Sequence, residues 1–186
     1  MLRDQLKQRV WPVHRIDRAT SGCLLFALSP TWAKTLQSAL HKSTKHYIAW
    51  VRGLPKEDRF TVDRPIKVGN KEPQMATTHF RVIQRRTEPR SALLWAQPLT
   101  GRHHQIRRHL NYASHPILLD SSHGDTRVNH EWRETHGLLR LALHAHTLTL
   151  ALPENEIVRV TAPLPESLSA PLSRLGFPTT FTSPRE

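Results

Sequence analysis

Residues 20–28 (TSGCLLFAL) are mostly apolar, and this short run bounded by turn residues predicts a buried strand. Ser29-Pro30 then reads as a helix start, with Ser29 as N-cap and Pro30 at the first helical position. Trp32, Ala33, Leu36, Ala39 and Leu40 recur at helical spacing as far as about Lys42. Residues 45–53 (KHYIAWVRG) alternate as a strand does, with Tyr47, Ala49 and Val51 on one face and Ile48 and Trp50 on the other. Gly53-Leu54-Pro55 ends it.

The polar residues 56–75, with Gly69-Asn70 as a turn signal, predict an exposed loop or hairpin. Strands follow at 76–84 and 91–98, separated by the charged turn RRTEPR. Thr100 is placed to cap a helix from about Arg102 to Tyr112, with Ile106, Leu110 and Ala113 on its apolar side. Residues 116–137 read as loop, and the alternation from Leu138 to Leu152 is the strongest strand pattern of the chain. The proline-rich remainder predicts a short helix and then irregular chain. Many strands adjacent in sequence and a few helices give an α+β fold with a mainly antiparallel sheet. Neither an internal repeat nor a low-complexity tract interrupts it.

Composition narrows the function. At 186 residues the chain is sized for a single domain with a real core. No apolar run reaches the ~20 residues of a membrane span, and MLRDQLKQRVW lacks the apolar core of a secretory signal. One cysteine, Cys23, excludes an internal disulfide framework and a cysteine-based zinc cluster. The expected setting is a reducing cytoplasm. The formal charge is +12, and of the 27 Lys and Arg only seven are Lys, none beyond Lys71. The planar guanidinium fork suits phosphates and base edges, so nucleic acid is the leading partner class.

Three segments carry chemistry. In His14-Arg15-Ile16-Asp17-Arg18 an aspartate stands between two arginines at a strand entrance, where positive charge favours the carboxylate. A positioned carboxylate serves as nucleophile or base; the plainer reading is a surface ion pair of little consequence. Thr100 to Leu110 (TGRHHQIRRHL) puts three arginines and three histidines near a helix N-terminus, a surface suited to phosphate or RNA. No HExxH or paired-cysteine pattern supports reading it as a metal site. Tyr47, beside Lys45 and His46, offers a ring on which a base can stack, or simply belongs to the core rim.

Taken in order, these segments resemble the RluA family of pseudouridine synthases. HRIDRATSG is similar to the family's aspartate motif and KHYIAWVRG to its tyrosine strand. TGRHHQIRRHLNYASHPILLD is similar to its arginine motif, and LLRLALHAHTLTL to its closing strand. The likeness runs from residue 14 to residue 150. Within the family, the segment after Asp120, with His123 where many relatives carry tyrosine, and the pair Arg107-Arg108 resemble the branch acting on uridine 65 of tRNA.

The resemblance implies an RNA-modifying isomerase that needs no metal, redox cofactor or cosubstrate. It assigns the catalytic carboxylate to Asp17, a paired arginine to Arg107 and the stacking ring to Tyr47. Ile16 and Leu143 would wall the uracil pocket. Arg15 would enter the stack vacated by a flipped base, and Arg18, Arg102 and Arg108 would contact phosphates. The partner implied is RNA, tRNA foremost, with ribosomal RNA as the sister substrate and a non-catalytic RNA-binding remnant as the rival reading. A monomer is expected.

Two departures stand out. Relatives carry a strand and a Lys-Pro turn ahead of the aspartate motif, so residues 1–186 are expected to be one catalytic domain lacking that first strand, with an exposed sheet edge. The family's usual Gly-Asp is Leu119-Asp120 here, which would strain the turn if the position needs positive φ.

Overall fold

The computed structural model describes residues 2–153, 156–182 and 184. In chain order it contains α1 (Leu2–Leu6), β1 (Trp11–Pro12), β2 (Ser21–Gly22), β3 (Phe26–Ala27), α2 (Pro30–His41) and β4 (Thr44–Arg52). Next come β5 (Arg59–Asp63), β6 (Thr77–Arg86), β7 (Ser91–Pro98), α3 (Gln105–Tyr112) and α4 (Thr126–His136). β8 (Leu143–Ala151), β9 (Ile157–Thr161) and α5 (Glu166–Arg174) complete the fold. The main sheet runs β2-β8-β4-β7-β6-β5, with β9 also paired to β8. Among the described residues, only its β2–β8 pairing is parallel. The α+β class and the mainly antiparallel sheet are as the sequence predicts. No described helix is long and apolar enough to cross a membrane.

Both faces of β4 and β7 are covered, which is why alternation gives way to continuous burial from Ile48 to Val51 and from Ser91 to Ala96. Trp50 meets Trp132 of α4 and Phe177 edge-on, with ring centroids 5.0 and 5.3 Å apart. A smaller apolar cluster joins Leu36, Ala39 and Leu40 of α2 to Leu148 and Leu150 of β8. α2 begins as predicted: the Ser29 hydroxyl accepts the Trp32 amide at 3.2 Å, and Pro30 occupies the first turn.

Five expectations are corrected. The predicted strand 20–28 is split into β2 and β3, which belong to different sheets. Its break is Gly22, at φ +112, where a Cβ would lie 2.1 Å from the Ala145 carbonyl oxygen. Leu24 and Leu28 consequently point to solvent. Residues 56–75, expected as an exposed loop or hairpin, take the hairpin form, with β5 leading into the turn and the Ile66–Gln74 bridge closing it. α3 begins at Gln105, not Arg102, and its N-cap is His104; the Thr100 hydroxyl instead donates to the Gln105 side chain at 2.6 Å.

The predicted loop 116–137 contains α4, capped by Asp125, whose carboxylate accepts the Arg127 and Val128 amides, and closed by Gly137. The long strand 138–152 is shortened to β8, and β9 occupies part of the tail read as helix and irregular chain; the short helix is α5.

Candidate active site

The cleft that gathers the candidate residues has a volume of about 820 Å³. It lies between the 13–20 loop, the start of β4, α2 and the 98–107 segment. The 13–20 loop is pinned at several points. The Val13 amide donates to the Leu25 carbonyl, the Leu25 amide donates to His14 Nε2 at 3.0 Å, and Arg140 donates to the Ala19 carbonyl. The turn closes on itself through the Thr20 amide and the Asp17 carbonyl, 2.8 Å apart. Asp17 is thereby carried to the cleft on a braced loop.

Arg107 reaches it from the buried side of α3. Its Nη1 donates to Asp17 Oδ2 at 3.2 Å, while Nε and Nη2 grip both oxygens of Asp120 at 2.8 and 2.7 Å. Asp120 also accepts the Ser122 and His123 amides, and its side chain is fully buried. Burial alone would raise the Asp120 carboxyl, but the Arg107 and backbone hydrogen bonds outweigh it and hold the group below the usual range. Asp17, Arg107 and Asp120 thus form a chain in which the buried acid orients the arginine and the arginine reaches the cleft acid.

Tyr47 projects from β4 into the same cleft, with Ile16 and Leu143 also lining it. Burial first, then the nearby Asp17 and Cys23, push the Tyr47 phenol up to about 12, so the ring stays neutral. Arg15 and Arg102 are exposed and line the cleft, the latter donating to the Met75 carbonyl. Arg18 and Arg108 are not part of its lining. Arg18 is exposed, whereas Arg108 is half-buried and donates to the Lys67 carbonyl.

The family model for RNA pseudouridylate synthase matches residues 1–112. The tRNA pseudouridine synthase C of Haemophilus ducreyi is 38% identical over 174 residues, covering 82% of this chain and 71% of that protein. Its counterpart in Vibrio cholerae is 37% identical over 199 aligned positions, covering 95% and 81%. The chain belongs to the RNA pseudouridylate synthase family. Among solved structures, human RNA pseudouridylate synthase domain containing 1 is similar with a TM-score of 0.79 at 26% identity, covering 91% of this chain and 76% of that one. Human RNA pseudouridylate synthase domain containing 4 gives 0.76 at 26% identity, covering 90% and 76%.

Four residues of this synthase were not singled out by sequence. Lys45 lines the cleft two positions before Tyr47, and burial lowers its ammonium. His104 places Nε2 3.9 Å from Asp17 Oδ1. Asp120 entered the sequence reading as the end of the segment similar to the arginine motif and as the neighbour of Leu119, not as the second carboxylate of Arg107. Asn129 of α4 accepts the Leu119 amide at 2.9 Å and donates to the Asp120 carbonyl at 3.0 Å, fastening the turn that holds Asp120.

That turn carries the strain foreseen for it: Leu119 sits at φ +60 and is 4% exposed. Leu119→Ala loses the buried side chain, at about 2–5 kcal/mol, and keeps the backbone strain. Leu119→Gly loses the Cβ as well but relieves roughly 1–2 kcal/mol of that strain, which outweighs the one extra carbon. Urea unfolding is expected to rank the glycine variant above the alanine variant, the reverse of their usual order; an alanine variant of equal or greater stability would show the turn to be relaxed.

Proposed function

We propose that this pseudouridine synthase isomerises uridine in tRNA, with Asp17 as the catalytic carboxylate. The observation that carries the reading is a carboxylate held by Arg107 at 3.2 Å in a cleft where Tyr47, Arg15, Arg102 and Leu143 converge. The reaction breaks the bond between uracil N1 and the sugar C1′, turns the base and joins C1′ to C5. The C5 proton is lost and N1 gains one, so substrate and product have the same atoms and no cosubstrate enters.

Asp17 supplies the negative charge at the sugar–base junction, by partial analogy with glycosidases. Arg107 keeps it aimed. Tyr47, a neutral ring, stacks on the uracil and retains it while it turns, and Ile16 and Leu143 wall the pocket. A uridine within a stem is out of reach, so it is flipped out at a cost of a few kcal/mol. Arg15, at the exposed cleft edge, fills the vacated stack. Arg102 meets phosphate inside the cleft, while Arg18 and Arg108 reach the RNA beyond it, Arg108 after release from the Lys67 carbonyl.

The names of the relatives support tRNA over ribosomal RNA, and the likeness of the segment after Asp120 supports uridine 65 as the target. The chain acts as one catalytic domain in the cytoplasm. Purified protein incubated with tRNA carrying tritium at uracil C5 is expected to release tritium to water, and a ribosomal RNA transcript to release none. Release from ribosomal RNA alone would move the substrate, and RNA binding without release from either would leave an RNA-binding module.

A further inference from the structure

The N-terminus of α3 is built in an unusual way. Its cap residue, His104, sits at φ +53 and makes no side-chain capping bond. The imidazole turns aside instead, stacking on His103 with ring centroids 3.8 Å apart. Its Nδ1 lies 3.0 Å from His123 Nε2, and its Nε2 faces Asp17 Oδ1 at 3.9 Å.

In a hydrogen bond between two neutral imidazoles, one nitrogen carries the proton and the other is bare. A carboxylate only accepts, so a bare His104 Nε2 would set two lone pairs against each other. The arrangement without that repulsion has His123 Nε2–H donating to a bare His104 Nδ1, which leaves the His104 proton on Nε2, aimed at Asp17.

We propose that His123 is a positioning residue that fixes the tautomer of His104, so that a neutral N–H faces one oxygen of Asp17 while Arg107 holds the other. The proposal rests on Asp17 being the catalytic carboxylate. His104 faces Asp17 from the 13–20 loop, His103 from its own segment, Arg107 from α3 and His123 from the loop after Asp120. Burial, with Arg107, His103 and His123, outweighs the pull of Asp17 and lowers the His104 imidazole to about 4. His104 is therefore neutral near pH 7, and its donor stands about 0.7 Å outside the usual hydrogen-bond range, within reach of a small shift of the carboxylate.

His123→Phe removes the donor, and His123→Gln restores an N–H in about the same place. The phenylalanine variant is expected to lose on the order of 10–100-fold in kcat with KM within about twofold of wild type, and the glutamine variant to recover most of it. Imidazole ¹⁵N spectra of the free protein read the tautomer without reference to any RNA. The expected spectrum has His104 protonated on Nε2 in the wild type and the glutamine variant, and as a tautomer mixture in the phenylalanine variant. His104 protonated on Nδ1 in the wild type, or a phenylalanine variant with unchanged kcat, overturns the proposal. A correct tautomer in an enzyme that releases no tritium from tRNA would instead point to a failure of the functional reading.

Discussion

Asp17→Asn is expected to lower tritium release from tRNA by at least about 10⁴-fold, the scale seen when a group that acts chemically is replaced by a near-isostere. The expectation follows from the way the site divides its labour. Asparagine fills the same space and can still accept from Arg107, so position is largely kept while the charge is lost. Arg107 keeps both bonds to Asp120 in the variant, at 2.8 and 2.7 Å in the wild type, so no buried charge is orphaned. The melting temperature is therefore expected to move little. Residual release within about tenfold of wild type would assign Asp17 to orientation and not to chemistry.

Asp120→Ala is expected to show the opposite balance, with a large loss of stability. The substitution leaves the Arg107 guanidinium buried with only the single Asp17 contact, and breaking a buried ion pair in this way costs about 3–5 kcal/mol. Against a typical domain stability of about 5–15 kcal/mol this is a large fraction. Two backbone amides, of Ser122 and His123, lose their acceptor as well. Activity falls with it because Arg107 is no longer aimed.

The pH dependence carries the same sign. The Asp120 carboxyl is depressed in the fold, so its contribution is fully present above the unfolded value of 3.8 and is lost as pH falls through the lower folded value. Asp120→Asn removes that part of the acid sensitivity. Urea titrations at pH 7 and pH 3 check it: the stability gap between wild type and the asparagine variant is expected to shrink at pH 3, and a constant gap would remove Asp120 from the buried pair.

The parts of the fold legible in sequence were those where local signals and packing agree. Ser29-Pro30 announced α2, and the runs at β4, β6 and β7 were found within about two residues because each is apolar enough to be central. α4 escaped because only Val128 and Trp132 of its eleven residues are apolar, at a spacing of four. The Asp125 cap and Gly137 stop were its visible signals. The strand predicted at 20–28 failed for a different reason: hydrophobicity registers burial, and the apolar run does not mark where the chain leaves the sheet after Gly22, which sits at φ +112 against Ala145.

At the site, the motifs brought Asp17, Arg107 and Tyr47 to one cleft, and the segment around Asp120 was in view. What sequence did not disclose were contacts across long separations: His104 with His123, Asn129 with the Leu119 turn, and Lys45 exposed to the same cleft as Arg15. Arg108 shows the converse. It lies beside Arg107 in the chain, but the helix turns it out of the cleft and toward the Lys67 carbonyl.

If Asp17 drives isomerisation of a single uridine in tRNA, the position of the product reports it. Unmodified tRNA is incubated with wild-type protein or with Asp17→Asn, treated with a carbodiimide that marks pseudouridine, and read by primer extension. One new stop is expected with the wild type, marking uridine 65, and none with Asp17→Asn. A stop of equal strength with both proteins, or no stop with a folded wild type, would contradict that reading.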